Sequence, residues 1–591
     1  MKNKLSIAIP VAIFLVLYIF LIGYRPLVMP DEVRYVEIPR EMLADHDFVT
    51  PRLNGLRYFE KPIMGYWLIA GAMRVFGENA FAGRLMPAVC TGLAALIVLL
   101  LTSKMTGRRE IGGFAASCFL LMPMVFIIGT VCTLDAIFSF FVTATIASFY
   151  CAMEGYLEKQ RGKCLIWLVV TGVAAGCSFM VKGFLAFALP VVAVLPWLIW
   201  ERRWKAIFTL PWIPFVVALI VIAPWAILVH KAQPDFWRYF VVEEHFSRFG
   251  FRGADEVEHP HGPFYFVLNL LWGAAEWLLL LPAIVCGIRK MGIRGRLAFS
   301  KQYWFFGLNW GDGKLSWFRF LVCWFFGPLL FLSASSGKLA TYILPCFPPL
   351  AIMLTVGLFR YFEEKGKCKL FNVPLMVFSG AAVIAAPIAF VVIYYILPKR
   401  FDIALYGESE LWKFGVMFCA IVFVLLGAVA AFAEKKEVTR KPFFFLAAAF
   451  PLFVASFFIV PQSFYDTRCI TDFLEECRDE ITPDTLVIAH GSNVHSVCYT
   501  YHRNDLFLNV PGELKYGLTY EEDKDRAVLH SNVKNFVAAH PGKRIVMFFP
   551  ANRYYEHKEK KLLPPPIFEK KSIPTDPESR EADGVVFARF Q

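Results

Sequence analysis

Charged residues are scarce in this chain. Only 18% of its 591 residues are Asp, Glu, Lys or Arg and 57% are apolar, whereas soluble domains carry about 25% charged residues. This scarcity excludes an ordinary soluble globular protein and indicates an integral membrane protein. The net charge of +12 comes largely from Lys and Arg in short connectors between apolar runs. Because that pattern is typical of membrane topology, no nucleic acid partner is predicted.

Paired cysteines are also lacking. The 14 cysteines are scattered, mostly inside apolar runs, with no CxxC pair and no zinc-ribbon spacing. Cysteine in such a run behaves as a small buried hydrophobe, so the pattern excludes a cysteine-held zinc domain. The sequence also lacks an internal repeat and the inverted pair of Gly- or Pro-broken helices that is typical of secondary transporters.

Thirteen apolar runs are long enough to cross a bilayer, which takes about 20 helical residues. An odd number of crossings puts the two termini on opposite sides. Six basic connectors fall on the same side as the N-terminus, and the positive-inside rule makes that side cytoplasmic. The outer side then carries the loop 25–85, the loop 230–263 and everything after 460. The runs are 6–24, 86–103, 111–129, 132–152, 165–181, 184–200, 207–229, 264–287, 318–335, 340–359, 371–396, 411–433 and 441–460.

The composition changes after residue 460. Residues 461–591 are more polar and contain three short β-like runs, TLVIAH, RIVMFF and GVVFARF, between helix-like and turn-rich stretches. This alternation predicts an α/β domain outside the membrane. The predicted organisation is therefore a transmembrane catalytic domain over 1–460 and an outer domain over 461–591.

The loop 25–85 is too charged and too aromatic for a simple connector. It forms two short amphipathic pieces, which suit a segment that lies among lipid headgroups and handles a charged lipid. Asp31 opens the first piece, and Arg34 and Tyr35 share its helical face three and four residues later. A carboxylate beside a cation and a phenol can orient a phosphate or hydroxyl nucleophile. The alternative is that Asp31 only caps the helix.

Further ionisable residues fall at the outer ends of predicted spans. Asp135 lies just inside an apolar run, where a carboxylate is costly unless it faces protein or water. Lys182 interrupts two spans, and Lys61 stands before a proline that fixes an extended turn. Such cations can bind phosphate, although snorkelling to headgroups is the alternative. For Asp135 the alternative is a local cap or a pair with a neighbouring helix. Few acids are expected at the outer ends of the predicted spans, called the outer rim below. Its other predicted cations and phenols include Arg248, Lys338 and Tyr342.

A divalent metal is a separate possibility. His259 and His261 in the loop 230–263 could join Glu60 around a zinc ion, because imidazole and carboxylate are both zinc ligands. The spacing is loose, and histidines that face headgroups without a metal are the alternative.

Several segments resemble one enzyme family. They are PDEVRYVEIPREM, LRYFEKPIMGYW, KGFLA, PDFWRYF followed by VEEHFSRF, SGKLATYILPCF and GELKYGL. This set resembles the bacterial aminoarabinose transferases of lipid A, which are related to the protein O-mannosyltransferases. The resemblance implies a GT-C glycosyltransferase of the inner membrane. It would move 4-amino-4-deoxy-L-arabinose from undecaprenyl phosphate to a lipid A phosphate on the periplasmic side, which lowers surface negative charge and gives resistance to polymyxin and cationic peptides.

By motif position, the resemblance makes Asp31 the principal catalytic carboxylate and Asp135 a second acid near the donor. Glu60 would reach a bound zinc, although displacing a polyprenyl phosphate requires no metal. The implied partners are the lipid-linked donor, lipid A and inner-membrane lipids, for a monomeric enzyme. The residues that would hold the donor phosphate are Arg34, Tyr35, Tyr58, Lys61 and Tyr342.

Two other functions stay open at the level of sequence. A related transferase that uses a polyprenyl-phosphate sugar could act on protein or on another glycan, and it would share the same carboxylates and cations. A lipid transporter or flippase would instead place its ionisable residues near the bilayer midplane of several spans. Here the ionisable residues gather at the outer rim, which favours a transferase.

Overall fold

The computed structural model describes residues 2–246, 261–288, 316–335, 337–363, 368–401, 404–435, 437–491, 493–528, 532–573 and 584–591. Up to about residue 460 these ranges are largely helical. Many large apolar side chains on the helices are exposed, such as Phe208 at 72% and Ile384 at 68%. Exposed apolar surface on long helices is expected where lipid tails replace water as the solvent. The prediction of a helical integral membrane protein is confirmed.

The described residues contain eight helices that are long and apolar enough to cross a membrane, and a ninth if Arg109–Leu120 and Pro123–Gly129, bent by 67°, count as one span. Shorter apolar helices cover Ser6–Phe20, Leu185–Trp200 and Trp317–Ser333, and the predicted run 264–287 is divided, beginning with Tyr265–Gly273 and Ala275–Leu278. The count of thirteen crossings stays a prediction. The eight long helices are Ala80–Thr106, Leu134–Leu157, Arg161–Lys182, Trp204–Ala232, Ala340–Glu363, Lys369–Arg400, Glu408–Ala433 and Val438–Ser456.

Two amphipathic helices form in the loop 25–85, as its pattern predicts. The first, Asp31–Asp45, is called the surface helix below, and the second is Met64–Phe76. Between them a short antiparallel hairpin pairs strand β1, Arg52–Leu53, with strand β2, Leu56–Arg57. Of the predicted site residues, Asp31, Arg34 and Tyr35 lie on the surface helix. Three more, Tyr58, Glu60 and Lys61, directly follow the hairpin.

A buried ion pair fixes the first turn of the surface helix. Glu32 and Arg84 lie 2.7 Å apart, and their side chains are 5% and 1% exposed. Arg84 also donates to three backbone carbonyls within 22–26, and Glu32 accepts from the amide of Cys132. Because the two charges are buried and hydrogen-bonded to each other, removing either partner would leave the other charge buried and unpaired. The pair therefore sets the position of Asp31.

The C-terminal region forms a five-stranded mixed sheet with strand order β4-β3-β5-β7-β6. Strand β3 is parallel to β4 and β5, whereas β7 is antiparallel to β5 and β6. Three of the strands are the predicted β-like runs, so that prediction is confirmed. The strands are β3 Leu486–His490, β4 Phe507–Val510, β5 Ile545–Pro550, β6 Phe568–Lys571 and β7 Val585–Arg589, and the accompanying helices are Gln462–Arg468, Thr471–Glu476, Val494–Tyr501, Val533–Ala539 and Ala551–Glu559.

The C-terminal sheet region is hydrogen-bonded to the hairpin of the loop 25–85. Arg526 donates to the carbonyls of Asn54 and Leu506, and the Asn54 side chain also donates to the Leu506 carbonyl. Gly55 has a φ of 70°, and a Cβ at this position would lie 2.6 Å from the Asn504 carbonyl oxygen. Only glycine combines this backbone conformation with so close an approach. The two parts of the chain are thus held together next to the surface helix.

Candidate active site

Arg34 joins two acids that are distant in sequence. Its guanidinium donates to Asp31 on the same helix and to Glu513 in the short 3-10 helix Gly512–Lys515 of the C-terminal region. The Arg34 side chain is 9% exposed, whereas those of Asp31 and Glu513 are 59% and 40% exposed. Within the described residues no side-chain hydrogen bond caps the surface helix, whose cap position is Pro30. Asp31 therefore orients Arg34 and does not act as a helix cap.

Two carboxylates converge on the phenol of Tyr58. Its hydroxyl lies 3.0 Å from Glu60 Oε2 and 3.1 Å from Glu513 Oε2, and the residue is 2% exposed. Burial, followed by the charge of Glu60, raises the pKa of Tyr58 well above its ordinary value. Although burial opposes it, Arg34 lowers the pKa of Glu513. The site thus pairs a neutral phenol with an ionised carboxylate at neutral pH.

Glu513 corrects the expectation of few acids at this rim. It lies 479 residues from Arg34 in sequence and yet contacts it directly. The segment GELKYGL belongs to the set that resembles the transferase family, but no local pattern in it indicates that its glutamate reaches the loop 25–85. Sequence reasoning therefore missed this residue.

A second charge pair lies at the ends of two packed helices. Lys182 Nζ donates to Asp135 Oδ1 at 2.6 Å, with the side chains 9% and 15% exposed. Asp135 is in the first turn of its helix, and Lys182 is the last residue of the next helix. The Lys182 ammonium also lies 5.2 Å from the ring centroid of Tyr342, within cation–π range. The three residues line one small pocket.

Tyr35 connects the two groups of charges. Its ring lies 4.8 Å from the Arg34 guanidinium carbon, and its side chain is largely buried. Burial raises the pKa of Tyr35, while the positive charges of Arg34, Lys61 and Lys182 act in the opposite direction. These interactions place all four residues within one electrostatic neighbourhood. We call the assembled set the rim cluster: Asp31, Arg34, Tyr35, Tyr58, Glu60, Lys61, Asp135, Lys182, Tyr342 and Glu513.

Known proteins match this chain over nearly its whole length. The family of dolichyl-phosphate-mannose-protein mannosyltransferases matches residues 5–240, and the C-terminal domain of the arabinosyl transferase ArnT matches residues 466–573. The undecaprenyl phosphate-alpha-4-amino-4-deoxy-L-arabinose arabinosyl transferase of Shewanella sediminis is 31% identical over 555 residues, which covers 93% of this chain and 94% of the relative. The chain belongs to this arabinosyl transferase family.

Further relatives agree with this membership. The transferase of the same name from Aeromonas salmonicida is 34% identical over 532 residues, covering 89% of this chain and 90% of the relative. The crystal structure of ArnT from Cupriavidus metallidurans bound to undecaprenyl phosphate has a TM-score of 0.75 at 20% identity, covering 100% of this chain and 98% of that chain. The arabinosyl transferase fold therefore extends through both the helical part and the C-terminal sheet, and the resemblance found in the sequence is confirmed.

Two other predicted site residues that the structure describes, Lys338 and His261, do not belong to the rim cluster. Lys338 is buried and its ammonium donates to the carbonyls of Ser335 and His261, the latter at 2.9 Å. The exposed His261 ring stacks on Tyr265 with centroids 4.0 Å apart. The ammonium of Lys338 thus binds two backbone carbonyl groups in this structure. Its binding of a phosphate stays a prediction. Arg248 and His259 lie outside the described residues, so the complete zinc set of Glu60, His259 and His261 also stays a prediction.

One group that could hold a metal, and that the sequence did not suggest, is found within the described ranges. The side chains of Glu37, Glu41 and Cys498 are all buried and close together. Arg40 donates to both carboxylate oxygens of Glu37, at 2.7 and 2.8 Å, and Glu41 accepts from the amide of Gly55 at 2.9 Å. These oxygens are already used within the protein, so the group is better explained as a network that joins the surface helix to the C-terminal region.

His495 gives the site a dependence on pH. It lies in the helix Val494–Tyr501, is 5% exposed, and is close enough to Arg34 and Glu513 for their charges to act on it. Burial, and then the positive charge of Arg34, lower the pKa of His495 to about 4. The folded protein therefore holds this imidazole neutral.

Acidification is expected to destabilise the contact between the surface helix and the C-terminal region. The unfolded chain binds a proton at His495 near pH 6.5, whereas the folded chain does so only near pH 4. The stability that this residue contributes is therefore complete above pH 6.5 and is lost as the pH falls toward 4, by about 3 kcal/mol in all. Thermal unfolding in detergent at pH 7.5 and pH 5 measures it. His495→Gln should flatten the dependence, and the exposed control His230→Gln should keep it; equal slopes in both variants would contradict the assignment.

Proposed function

We propose that this chain is an inner-membrane glycosyltransferase that moves 4-amino-4-deoxy-L-arabinose from undecaprenyl phosphate to a phosphate of lipid A on the periplasmic side. Relatives named as undecaprenyl phosphate-alpha-4-amino-4-deoxy-L-arabinose arabinosyl transferases match about nine tenths of the chain, which supports the donor and the transfer. The observation that carries the proposal is the rim cluster itself, in which charges of both the Asp31–Arg34–Glu513 group and the Asp135–Lys182 pair act on Tyr35. The transfer would lower the negative charge of the cell surface and so give resistance to polymyxin and cationic peptides.

The reaction is a displacement at the anomeric carbon of the sugar. An oxygen of the lipid A phosphate attacks this carbon, the bond from the carbon to the donor phosphate oxygen breaks, and the electron pair leaves with undecaprenyl phosphate. A single step of this kind inverts the anomeric configuration. Because the attacking phosphate is already anionic, Asp31 is needed to orient groups more than to remove a proton.

The cations of the rim cluster stabilise the departing phosphate. Arg34 Nε is buried and has no hydrogen-bond partner within the described residues, so one donor of this paired guanidinium stays available to a phosphate oxygen. The charges of Lys61 and Lys182 both act on the phenol of Tyr35. Preorganised positive groups near a developing negative charge are the usual source of large rate enhancement.

Lys61→Ala is expected to lower transfer by at least about 10²-fold, because it removes an anion partner at the departing phosphate. Lys61 is half-buried and donates to the Glu60 carbonyl at 3.0 Å, so its loss removes no core packing. Lys61→Arg should restore little of the transfer activity, since the planar guanidinium of arginine does not replace the compact ammonium of lysine. Aminoarabinose transfer to lipid A by purified protein is measured. The exposed control Lys231→Ala should behave as wild type, and normal turnover by Lys61→Ala would remove Lys61 from the mechanism.

The proposed topology has thirteen crossings, with the N-terminus in the cytoplasm and the domain 461–591 in the periplasm. It is supported by the run lengths and by the alternation of basic connectors. Reporter fusions after Gln591 and within 288–317 are expected to report opposite compartments. The same compartment at both positions would contradict this topology.

No step of this displacement requires a metal, and we propose that the enzyme acts as a monomer. Glu60 and His261, whose donor types suit zinc, lie within the described residues. A zinc ion would be held by Glu60 together with His259 or His261. Elemental analysis of untagged protein tests for it.

The proposed function is tested by mass spectrometry of lipid A after incubation with purified protein and undecaprenyl-phosphate-linked aminoarabinose. The expected product is lipid A with one added aminoarabinose for each modified phosphate. A protein acceptor or another glycan is offered in parallel, because a related transferase would use one of those instead. Modification of such an acceptor with none of lipid A would overturn the proposed acceptor while keeping the donor.

A further inference from the structure

Tyr66 is a buried phenol whose hydroxyl is left without a partner. It is the third residue of the helix Met64–Phe76 and is 0% exposed, and its hydroxyl has no hydrogen-bond partner among the residues that the structure describes. Most buried polar side-chain atoms in proteins are hydrogen-bonded, and each exception calls for an explanation. A phenylalanine would fill the same space without the cost of an unpaired hydroxyl. The hydroxyl is therefore a candidate for contact with a bound group.

Tyr66 lies beside the rim cluster. Its ring is stacked on that of Tyr35, with the centroids 6.3 Å apart, and the Arg34 guanidinium carbon lies 4.8 Å from the same Tyr35 ring. The charge of Arg34 acts on the Tyr66 phenol, and Tyr66 in turn acts on Tyr58. The unpaired hydroxyl thus belongs to the same neighbourhood as the residues that are assigned to the donor phosphate.

Close packing holds Tyr66 in this position. The residue before it, Gly65, lies against the start of the helix Leu134–Leu157, where a Cβ at Gly65 would come within 2.5 Å of Leu134 Cδ2. The next residue of that helix is Asp135, a member of the rim cluster. The helix that carries Tyr66 is therefore packed against the helix that carries Asp135. A donor on a rigid, packed element is preorganised for its ligand.

A second buried donor without a partner lies in the same neighbourhood. Arg34 Nε has no hydrogen-bond partner in the described part of the chain, while the other nitrogens of this guanidinium donate to Asp31 and Glu513. Burial, followed by the phenol of Tyr35, raises the pKa of Tyr66 well above its ordinary value, so its hydroxyl keeps its proton and can donate. One guanidinium N–H and one phenol O–H together suit the oxygens of a phosphate.

We propose that Tyr66 is a further donor-binding residue, whose hydroxyl donates a hydrogen bond to a phosphate oxygen of the polyprenyl-linked sugar beside Arg34 Nε. The inference rests on the proposed function and deepens it. When the bond from the sugar carbon to the phosphate oxygen breaks, the electron pair stays on the phosphate and the phenol keeps its proton. Because negative charge grows on the phosphate in this step, the hydrogen bond is stronger in the transition state than in the bound donor.

Tyr66→Phe is expected to slow the enzyme without making it less stable. The substitution removes only an unpaired hydroxyl, so the midpoint of thermal unfolding in detergent, without substrate, should equal or exceed that of wild type. The kcat/KM for transfer should fall by about 10–100-fold, the range for losing a hydrogen bond to a charged group. A merely structural hydroxyl would give the opposite pattern, a lower midpoint with an unchanged kcat/KM.

Tyr18→Phe is the matched control. The Tyr18 hydroxyl is also buried, but it donates to the Leu120 carbonyl at 2.7 Å. Since Tyr18→Phe breaks an existing hydrogen bond, it should lower the unfolding midpoint and leave kcat/KM of the folded protein unchanged. The two variants remove the same atom from an unpaired and from a paired phenol.

Binding of a short-chain polyprenyl phosphate that carries no sugar identifies the group that Tyr66 contacts. The dissociation constant, measured on the monodisperse fraction of purified protein, should rise by about 10–100-fold in Tyr66→Phe and stay unchanged in Tyr18→Phe. Unchanged binding or an unchanged kcat/KM in Tyr66→Phe would overturn the inference. A wild-type protein that binds this phosphate but modifies no lipid A would instead overturn the proposed function, because the binding measurement involves no acceptor.

Discussion

Asp31→Asn is expected to lower arabinosyl transfer by about 10²–10⁴-fold in a protein that still folds. The substitution keeps the size of the side chain and one hydrogen-bonding oxygen but removes the negative charge that faces Arg34. Arg34 retains Glu513, and the surface helix retains the buried Glu32–Arg84 pair, so the architecture around the site is preserved. The loss should therefore lie in the chemistry and not in stability.

The control for this result is Asp45→Asn at the other end of the same helix. Asp45 is exposed, so its amide variant should transfer aminoarabinose as wild type does. Mass spectrometry of lipid A gives the rate, and polymyxin resistance of cells that express each variant gives the physiological measure. Wild-type rates from Asp31→Asn would remove the charge of Asp31 from the mechanism.

Lys182→Met is expected to reduce both the amount of folded protein and its activity. Lys182 is the partner of Asp135, and both side chains are largely buried at the ends of their helices. Removing one member of a buried pair typically costs about 3–5 kcal/mol, because the other charge is left without compensation. The measurements are the yield of monodisperse protein, its thermal unfolding and its transfer rate.

The double variant Lys182→Met with Asp135→Leu separates folding from catalysis. Replacing both charges with apolar side chains of similar size is often neutral for stability, so thermal stability should return toward wild type. Activity should not return, because both groups near Tyr342 are gone. The exposed pair of Lys163 and Glu158, 2.7 Å apart, is a control for which little change is expected. Recovery of full activity in the double variant would show that the pair is only structural.

Local spacing made part of this site predictable. Asp31 and Arg34 are three residues apart, and such residues are neighbours on any helix, so their contact followed once a helix was predicted there. The lengths of the apolar runs similarly placed Asp135 and Lys182 at helix ends. Their mutual contact was not predictable, because it depends on how two consecutive helices pack side by side.

Long-range contacts account for what the sequence did not indicate. Glu513 stands in a short 3-10 turn with no apolar periodicity that would orient it, and its approach to Arg34 depends on the docking of the whole C-terminal sheet region. His495 resembles any histidine on a short helix, and its neutrality follows from burial that only the assembled fold provides. Tyr66, in the middle of Met64–Phe76, resembles an ordinary core aromatic for the same reason.

The bond between Arg34 and Glu513 also has a consequence for the order of biosynthesis. Arg34 is translated 479 residues before Glu513, as the separation of the bonded pair shows. During most of translation the nascent chain therefore carries Arg34 with Asp31 alone. The site gains its third member only after nearly every membrane helix has been made. A growing chain thus cannot present a finished site to lipid until its C-terminal region has folded against the surface helix.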